Sequence, residues 1–141
     1  LSKGLGAPVG SLLCGPKDFI AYARRMRKML GGGMRQAGFL AAAGIHALEN
    51  HVDRLAEDHA RAGRIAAGMS GIDRLGVVHA TNMLWVTPPV EAHSALVDHL
   101  LADGILASFW APTMRFVTHL DIDDTQADLV VDSFTRFFDG T

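Results

Sequence analysis

The chain has one cysteine among its 141 residues, so no internal disulfide can form and a disulfide-stabilised secreted fold is excluded. It also lacks an excess of charge, since 13 lysines and arginines against 15 aspartates and glutamates give a net charge of -2. Such a balance gives no reason to expect a nucleic-acid partner or an anionic membrane surface. No apolar run approaches the roughly 20 residues of a membrane span. These absences predict a cytoplasmic protein that binds neither nucleic acid nor membranes.

The seven histidines do not have the spacing of a metal site. His46 and His51 are five residues apart, His51 and His59 are eight apart, and neither an HExxH nor a CxxC motif occurs. We therefore predict no metal site and expect most histidines at surface or supporting positions. Cys14 lies in a short apolar run, so we expect it to pack against neighbours rather than act as a nucleophile.

The first half of the chain has few predicted strands. Residues 1–34 are predicted to form a glycine-rich loop, a short strand at residues 11–14, and a helix with Asp18 as its N-cap that ends at three consecutive glycines. Residues 35–69 are predicted to form one long connecting helix, or a pair of helices if Asn50 marks a kink. This half has too few strands to close a sheet of its own, so it is typical of the end of a larger domain.

The second half, residues 70–141, has the pattern β-β-α-β-β-α of a small α+β domain. Thr87 is predicted to cap the first of its helices, with Pro88 at the first helical position. Along the last strand, Met114 and Phe116 alternate with Arg115, which places the arginine on the opposite face of the sheet. Together the two halves predict an α/β protein made of the tail of one domain and a complete smaller domain.

Two residues are candidates for chemistry. Lys3 lies among small residues that would let a ligand approach the backbone closely, and a lysine with a lowered pKa can form a Schiff base with an aldehyde; the alternative is a solvated lysine in a flexible loop. Arg115 lies inside a strand, where a guanidinium needs a partner and a carboxylate is the natural one. That carboxylate belongs either to a substrate or to the protein itself.

Four sequence blocks resemble those of the low-specificity L-threonine aldolases. The blocks are SKGLGAPVGS at residues 2–11, RKMLGGGMRQ at 27–36, AAAG at 41–44 and RFVTHLD at 115–121, and they occur in the family's order along the whole chain. These enzymes use pyridoxal phosphate and have the aminotransferase-like fold called fold type I. The resemblance therefore implies the C-terminal portion of such an enzyme: the tail of its large cofactor domain, a connecting helix and the small C-terminal domain.

The resemblance also implies roles for five residues. Lys3 would be the catalytic lysine that forms a Schiff base with the cofactor, and Arg115 would hold the α-carboxylate of a β-hydroxy amino acid. Ser2 would help shape the cofactor pocket, while Lys28 and Arg35 would lie near the phosphate side of the active site. The activity implied is the retro-aldol cleavage of L-threonine or L-allo-threonine to glycine and acetaldehyde, by a homotetramer.

Members of this family carry a long N-terminal part that contributes the acidic partner of the pyridine nitrogen and the stacking histidine. We therefore expect the 141 residues alone to hold the cofactor weakly and to lack activity, and we expect an N-terminal part of the same enzyme as their partner. Two other interpretations stay open: a related β-eliminating lyase, and a non-catalytic module that keeps the small domain for binding or oligomerisation. The presence of Lys3, Arg115 and the RKMLGGGMRQ block disfavours such a module, since a pure interaction domain has no use for the lysine.

Overall fold

The computed structural model describes residues 1–110 and 112–140, apart from the side chain of Trp110. The chain forms two compact units. We call Leu1–Val52 the first unit and Asp53–Thr141 the second unit. Within the described residues no helix has the length and apolar character needed to cross a bilayer.

The first unit consists of a loop and two helices. A 3-10 turn, Lys3–Leu5, lies in the loop, and helices α1, Lys17–Met29, and α2, Gly38–Asn50, follow. Asp18 is the second residue of α1 rather than its N-cap. The first helical bond runs from the Ile20 N–H to the carbonyl of Pro16, at 2.9 Å, so the helix already begins after the proline.

The strand predicted at residues 11–14 is not formed. These residues have extended or irregular backbone, and Leu12 and Leu13 expose 64% and 63% of their surface. Cys14 is exposed as well, so the prediction that it packs against neighbours is wrong. A strand requires a neighbour to satisfy its backbone groups, and none of the described strands pairs with this segment. The apolar run therefore does not by itself produce a strand.

Where one long helix or a pair was predicted, the structure has two helices. α2 ends at Asn50, and α3, Leu55–Met69, begins after a short irregular segment. The Asn50 side chain donates to the carbonyl of His46 at 2.8 Å, a local bond typical of a helix terminus. α3 belongs to the second unit, which begins at Asp53. The division of the whole protein into the segments 1–34, 35–69 and 70–141 stays a prediction.

The second unit contains a four-stranded antiparallel sheet in the order β1-β2-β4-β3. The strands are β1, Gly76–Ala80; β2, Met83–Thr87; β3, Ser108–Trp110; and β4, Thr113–Val117. A 3-10 turn, Val90–Ala92, and helix α4, His93–Ala102, connect β2 to β3, and helix α5, Asp124–Asp139, follows β4. The predicted order β-β-α-β-β-α is thus confirmed. The predicted cap at Thr87 is wrong because β2 continues through that residue.

The core of the second unit lies between one face of the sheet and the helices. Leu84 and Val86 of β2 and Met114 of β4 are 1% exposed or less. They form one cluster with residues from all three helices: Ile65, Met69, Leu96, Leu100 and Phe134. Alternate residues of β2 and β4 therefore face this core, while their neighbours in sequence lie on the outer face of the sheet.

Helices α3 and α5 pack closely in the second unit. A Cβ on Gly68 would lie 2.6 Å from Cγ1 of Val131, so this position of α3 requires a glycine. The Nε of Arg61 also donates to Oδ1 of Asp124 at 2.8 Å. α5 begins with a capping box, in which the Asp123 side chain accepts from the Gln126 N–H and the Gln126 side chain from the Asp123 N–H.

Candidate functional site

Lys3 lies in the 3-10 turn of the first unit with its side chain exposed. Its φ is +60°, a left-handed conformation that costs a non-glycine residue energy. Such backbone strain is concentrated at functional sites, where the surrounding structure maintains it. Ser2 precedes the turn in extended conformation, also exposed, and Gly6 closes the turn by donating its N–H to the Lys3 carbonyl at 2.9 Å.

The loop that carries Lys3 rests on helix α2. A Cβ on Gly44 would lie 3.0 Å from Cδ1 of Leu1, so the small residue of the predicted AAAG block lets the loop approach the helix. Ala7 of the loop and Ala47 of α2 are also buried, and the Ala7 N–H donates to the Leu1 carbonyl at 3.0 Å. The loop that carries Lys3 therefore contacts the AAAG block of α2 through Leu1.

Lys28 and Arg35 lie on either side of the glycine turn between α1 and α2, both exposed. Gly31 has a φ of +88°, and a Cβ on Gly32 would lie 2.9 Å from the Arg27 carbonyl oxygen, so the turn requires its glycines. A Cβ on Gly33 would lie 3.2 Å from Nζ of Lys28, which places that ammonium over the turn. Neither cation has a carboxylate partner among the residues that the structure describes.

Arg115 lies on β4 in the second unit, opposite Trp85 of β2 and Ser108 of β3. Its neighbours Met114 and Phe116 face the core, and Arg115 itself is exposed on the outer face of the sheet, as its alternation with them predicts. Because directly opposed residues share a face, Trp85 and Arg115 are neighbours there.

Arg115 differs from the other arginines of the second unit in having no ion pair. The remaining five each approach a carboxylate within 4.0 Å: Arg54, Arg61, Arg64, Arg74 and Arg136. No carboxylate pairs with Arg115 in the part of the chain that the structure describes. The guanidinium is therefore available to a carboxylate that is not one of these residues.

Sequence reasoning missed one residue of the lysine loop's surroundings. Nδ1 of His51, at the C-terminal end of α2, lies 2.7 Å from the carbonyl oxygen of Leu5 in the lysine turn. The two residues are 46 positions apart, so no local pattern could have connected them. The only signal was that His51 stands just beyond a predicted kink.

Charged clusters elsewhere in the second unit connect its elements. Oγ of Ser133 on α5 donates to Oδ2 of Asp103 at 2.5 Å, and Arg136 donates to the same atom at 2.6 Å. These bonds hold the pKa of the Asp103 carboxyl below its usual value, chiefly through Ser133. They connect the end of α4 to α5 and serve packing rather than chemistry. Among the described residues, no three His, Cys, Asp or Glu side chains gather as a metal site.

The structure thus places Ser2, Lys3, Lys28 and Arg35 in the first unit and Arg115 in the second. The first unit provides an amine in a strained turn and two cations beside a glycine turn. The second provides, on a rigid strand, a guanidinium that has no ion pair among the described residues. These are groups that can hold, respectively, a carbonyl compound, a phosphate and a carboxylate.

The chain is similar to proteins named as threonine aldolases. The chain is 49% identical over 126 residues to the "Low specificity L-threonine aldolase" of Escherichia coli K12, covering 89% of this chain and 38% of that protein. It is 52% identical over 138 residues to the "Probable low-specificity L-threonine aldolase" of Schizosaccharomyces pombe, covering 96% and 35%. The chain therefore spans well under half the length of these curated relatives.

A solved structure shares the fold. The chain matches a protein of Exiguobacterium sp. 255-15, named "Putative aromatic amino acid beta-eliminating lyase/threonine aldolase", with a TM-score of 0.70 at 18% identity, over 97% of this chain and 43% of that one. The predicted fold class and the resemblance are both confirmed. The sequence profile of the beta-eliminating lyases matches residues 1–88, and the chain belongs to that family.

Proposed function

We propose that this chain is part of a pyridoxal-phosphate enzyme that cleaves L-threonine and L-allo-threonine to glycine and acetaldehyde. One observation carries the proposal: Lys3 presents an exposed amine from a strained turn, in a loop that rests on α2. Its small-residue block is one of the four that resemble the aldolases. The names of the relatives from E. coli and S. pombe support the same activity.

The donor groups of the first unit fit pyridoxal phosphate. The cofactor has an aldehyde, which a primary amine such as that of Lys3 can hold covalently. It also has a phosphate, for which Lys28 and Arg35 are exposed cations beside a glycine turn, with no carboxylate partner in the described part of the chain. Ser2, next to the lysine, would line the same pocket. When bound, the cofactor supplies an electron sink for the electrons of a breaking bond at the substrate's Cα.

Arg115 is proposed to bind the substrate's α-carboxylate. The planar guanidinium can donate two parallel hydrogen bonds to that group, which fixes its position and orientation together. Holding the carboxylate restricts rotation about the bonds of Cα. Orienting a substrate in this way can lower the activation free energy by several kcal/mol (about 7 or more in favourable cases). A rigid strand, rather than a loop, holds the arginine, which favours such precision.

The remaining groups are proposed to lie in an N-terminal part of the same enzyme, since the chain spans only 38% of the E. coli relative. These groups are the partner of the pyridine nitrogen and the base that removes the substrate's hydroxyl proton. We propose a cytoplasmic homotetramer in which residues 1–34 end the large domain, 35–69 connect, and 70–141 form the small domain. The 141 residues alone would then bind cofactor weakly and lack turnover.

A second activity, β-elimination, is favoured by the family whose profile matches the chain. Elimination from a β-hydroxy amino acid releases ammonia and a keto acid, whereas retro-aldol cleavage releases glycine and an aldehyde. The two activities need the same lysine and the same carboxylate anchor, so only the products distinguish them.

Product analysis of the full-length enzyme tests the proposal. With pyridoxal phosphate and L-threonine we expect acetaldehyde and glycine in equal amounts, without ammonia. Lys3→Ala should remove the visible absorption band of the bound cofactor and lower kcat/KM at least about a thousandfold, or about 4 kcal/mol. Lys17→Ala, which changes an exposed lysine of α1, is the matched control and should retain both. Ammonia as the main product, or a band that survives Lys3→Ala, would overturn the proposal.

A further inference from the structure

The lysine turn is held by a side chain from a distant part of the first unit. His51 is the C-cap residue of α2 and is half-buried, and its Nδ1 lies 2.7 Å from the carbonyl oxygen of Leu5. Because a carbonyl oxygen only accepts, Nδ1 must carry the proton and donate. Leu5 is the last residue of the turn that begins at Lys3, so the bond acts on the segment that sets the lysine's backbone conformation.

The neighbours of His51 restrict its ring. The ring of His46 meets it edge to face, with centroids 5.3 Å apart and an interplanar angle of 87°. His46 is held in turn, because Nδ2 of Asn50 lies 3.2 Å from its Nδ1 and donates to its carbonyl at 2.8 Å. The His51 donor is therefore preoriented at the end of a helix rather than free on a loop.

Both charge states of His51 can form the bond. The neutral ring with its proton on Nδ1 donates to Leu5, and the imidazolium, which carries protons on both nitrogens, donates as well. The role is therefore one of geometry rather than of proton transfer.

We propose that His51 is a positioning residue for Lys3, and this rests on the proposed function of Lys3 as the cofactor lysine. By holding the Leu5 carbonyl, it stabilises the positive φ of Lys3 and so presents the amine in one conformation before cofactor binds. A turn that is already in place loses less conformational freedom when the cofactor binds, which raises affinity. Nothing else about His51, such as contact with substrate, is required.

Three variants of the full-length enzyme test this role. His51→Leu introduces an apolar side chain of comparable size and removes the donor. His51→Asn carries its Nδ2 on Cγ, as histidine carries Nδ1, so it retains a donor at the same position along the side chain. His59→Leu, at an exposed position on α3, is the matched control for the loss of a histidine.

Two measurements follow on each variant. The first is the dissociation constant of pyridoxal phosphate from the apoenzyme, read from the visible band of bound cofactor. The second is hydrogen exchange of the Gly6 and Ala7 amides in the apoenzyme, which are bonded within the loop. For His51→Leu we expect the dissociation constant to rise about fivefold and both amides to exchange faster, as loss of one hydrogen bond implies. His51→Asn and His59→Leu should stay within about twofold of the unchanged protein.

The outcomes separate this role from the proposed function. The positioning role is wrong if His51→Leu has the cofactor affinity and amide exchange of the unchanged enzyme, or if His51→Asn is as impaired as His51→Leu. In either case the proposed role of Lys3 as the cofactor lysine is unaffected. If the unchanged enzyme forms no band that depends on Lys3, the proposed function fails first, and the role of His51 fails with it.

Discussion

The two units of the chain bury their apolar residues very differently. In the second unit, large side chains such as Phe134, Leu84 and Met69 are completely buried in one cluster. In the first unit, all of whose residues the structure describes, the buried apolar residues are Ala7 and Ala47. Phe39 and Leu30 there expose 92% and 83% of their surface, and α1 has no buried residue.

The two units therefore differ in what they contribute: the second provides the packed core, and the first provides most of the groups proposed for chemistry. The second unit has a core of completely buried large side chains, and Arg115 lies on a strand that this core supports. The first unit carries the lysine and both candidate phosphate cations, but it holds its lysine loop by small residues and hydrogen bonds. Within this chain, therefore, the residues proposed for cofactor binding depend on local contacts that bury little area.

Truncating one phenylalanine in each unit should give the largest difference in unfolding free energy between the two units. In the 141-residue chain, Phe134→Ala should lower the free energy of unfolding by about 3–5 kcal/mol, because it leaves a cavity in the packed core. Phe39→Ala should change it by less than about 0.5 kcal/mol, since that ring is exposed. Urea denaturation followed by circular dichroism measures both. Equal losses would show that the first unit contributes a core comparable to that of the second.

A smaller effect is expected at the helix starts. Asp123→Ala removes the capping box of α5 and should cost about 1 kcal/mol of unfolding free energy. Asp18→Ala is the matched change in α1, where no side chain caps the helix, and it should cost a few tenths of a kcal/mol at most through the helix dipole. The same denaturation experiment compares the two. A larger loss at Asp18 would mean that α1 contributes more to folding than its exposure indicates.

Much of the second unit could be predicted from sequence because its patterns are local. Met114 and Phe116 alternate with Arg115 on a half-buried strand, and Gln126 follows Asp123 at the spacing of a capping box. The first unit was harder. The apolar run at residues 11–14 resembles a strand but has no partner, and Asp18 resembles a cap although the helix already begins after Pro16. In both cases tertiary context or a neighbouring residue overrode a local preference.

Some features of the candidate site could likewise be predicted from the sequence, and others could not. Lys3 and Arg115 were identified from residue types and their surrounding blocks. No carboxylate among the described residues pairs with Arg115, which favours a substrate carboxylate as its partner. The positive φ of Lys3 could not be inferred, because no local pattern marks a lysine for the left-handed conformation. The contact of His51 with Leu5 joins residues 46 positions apart, so only the folded chain reveals it.

The first unit is proposed to bind the cofactor and the second to bind the substrate's carboxylate. The most direct test of this division is the Michaelis constant of Arg115→Leu in the full-length enzyme, measured with L-threonine. Loss of charged hydrogen bonds worth about 1.5–3 kcal/mol should raise KM at least about tenfold. The visible band of bound cofactor should stay unchanged, because the cofactor is proposed to bind to Lys3 and not to Arg115. Arg64→Leu, whose arginine is paired with Asp128, should leave KM as it was. A KM unaffected by Arg115→Leu, or a cofactor band lost with it, would contradict the assignment of the carboxylate to the second unit.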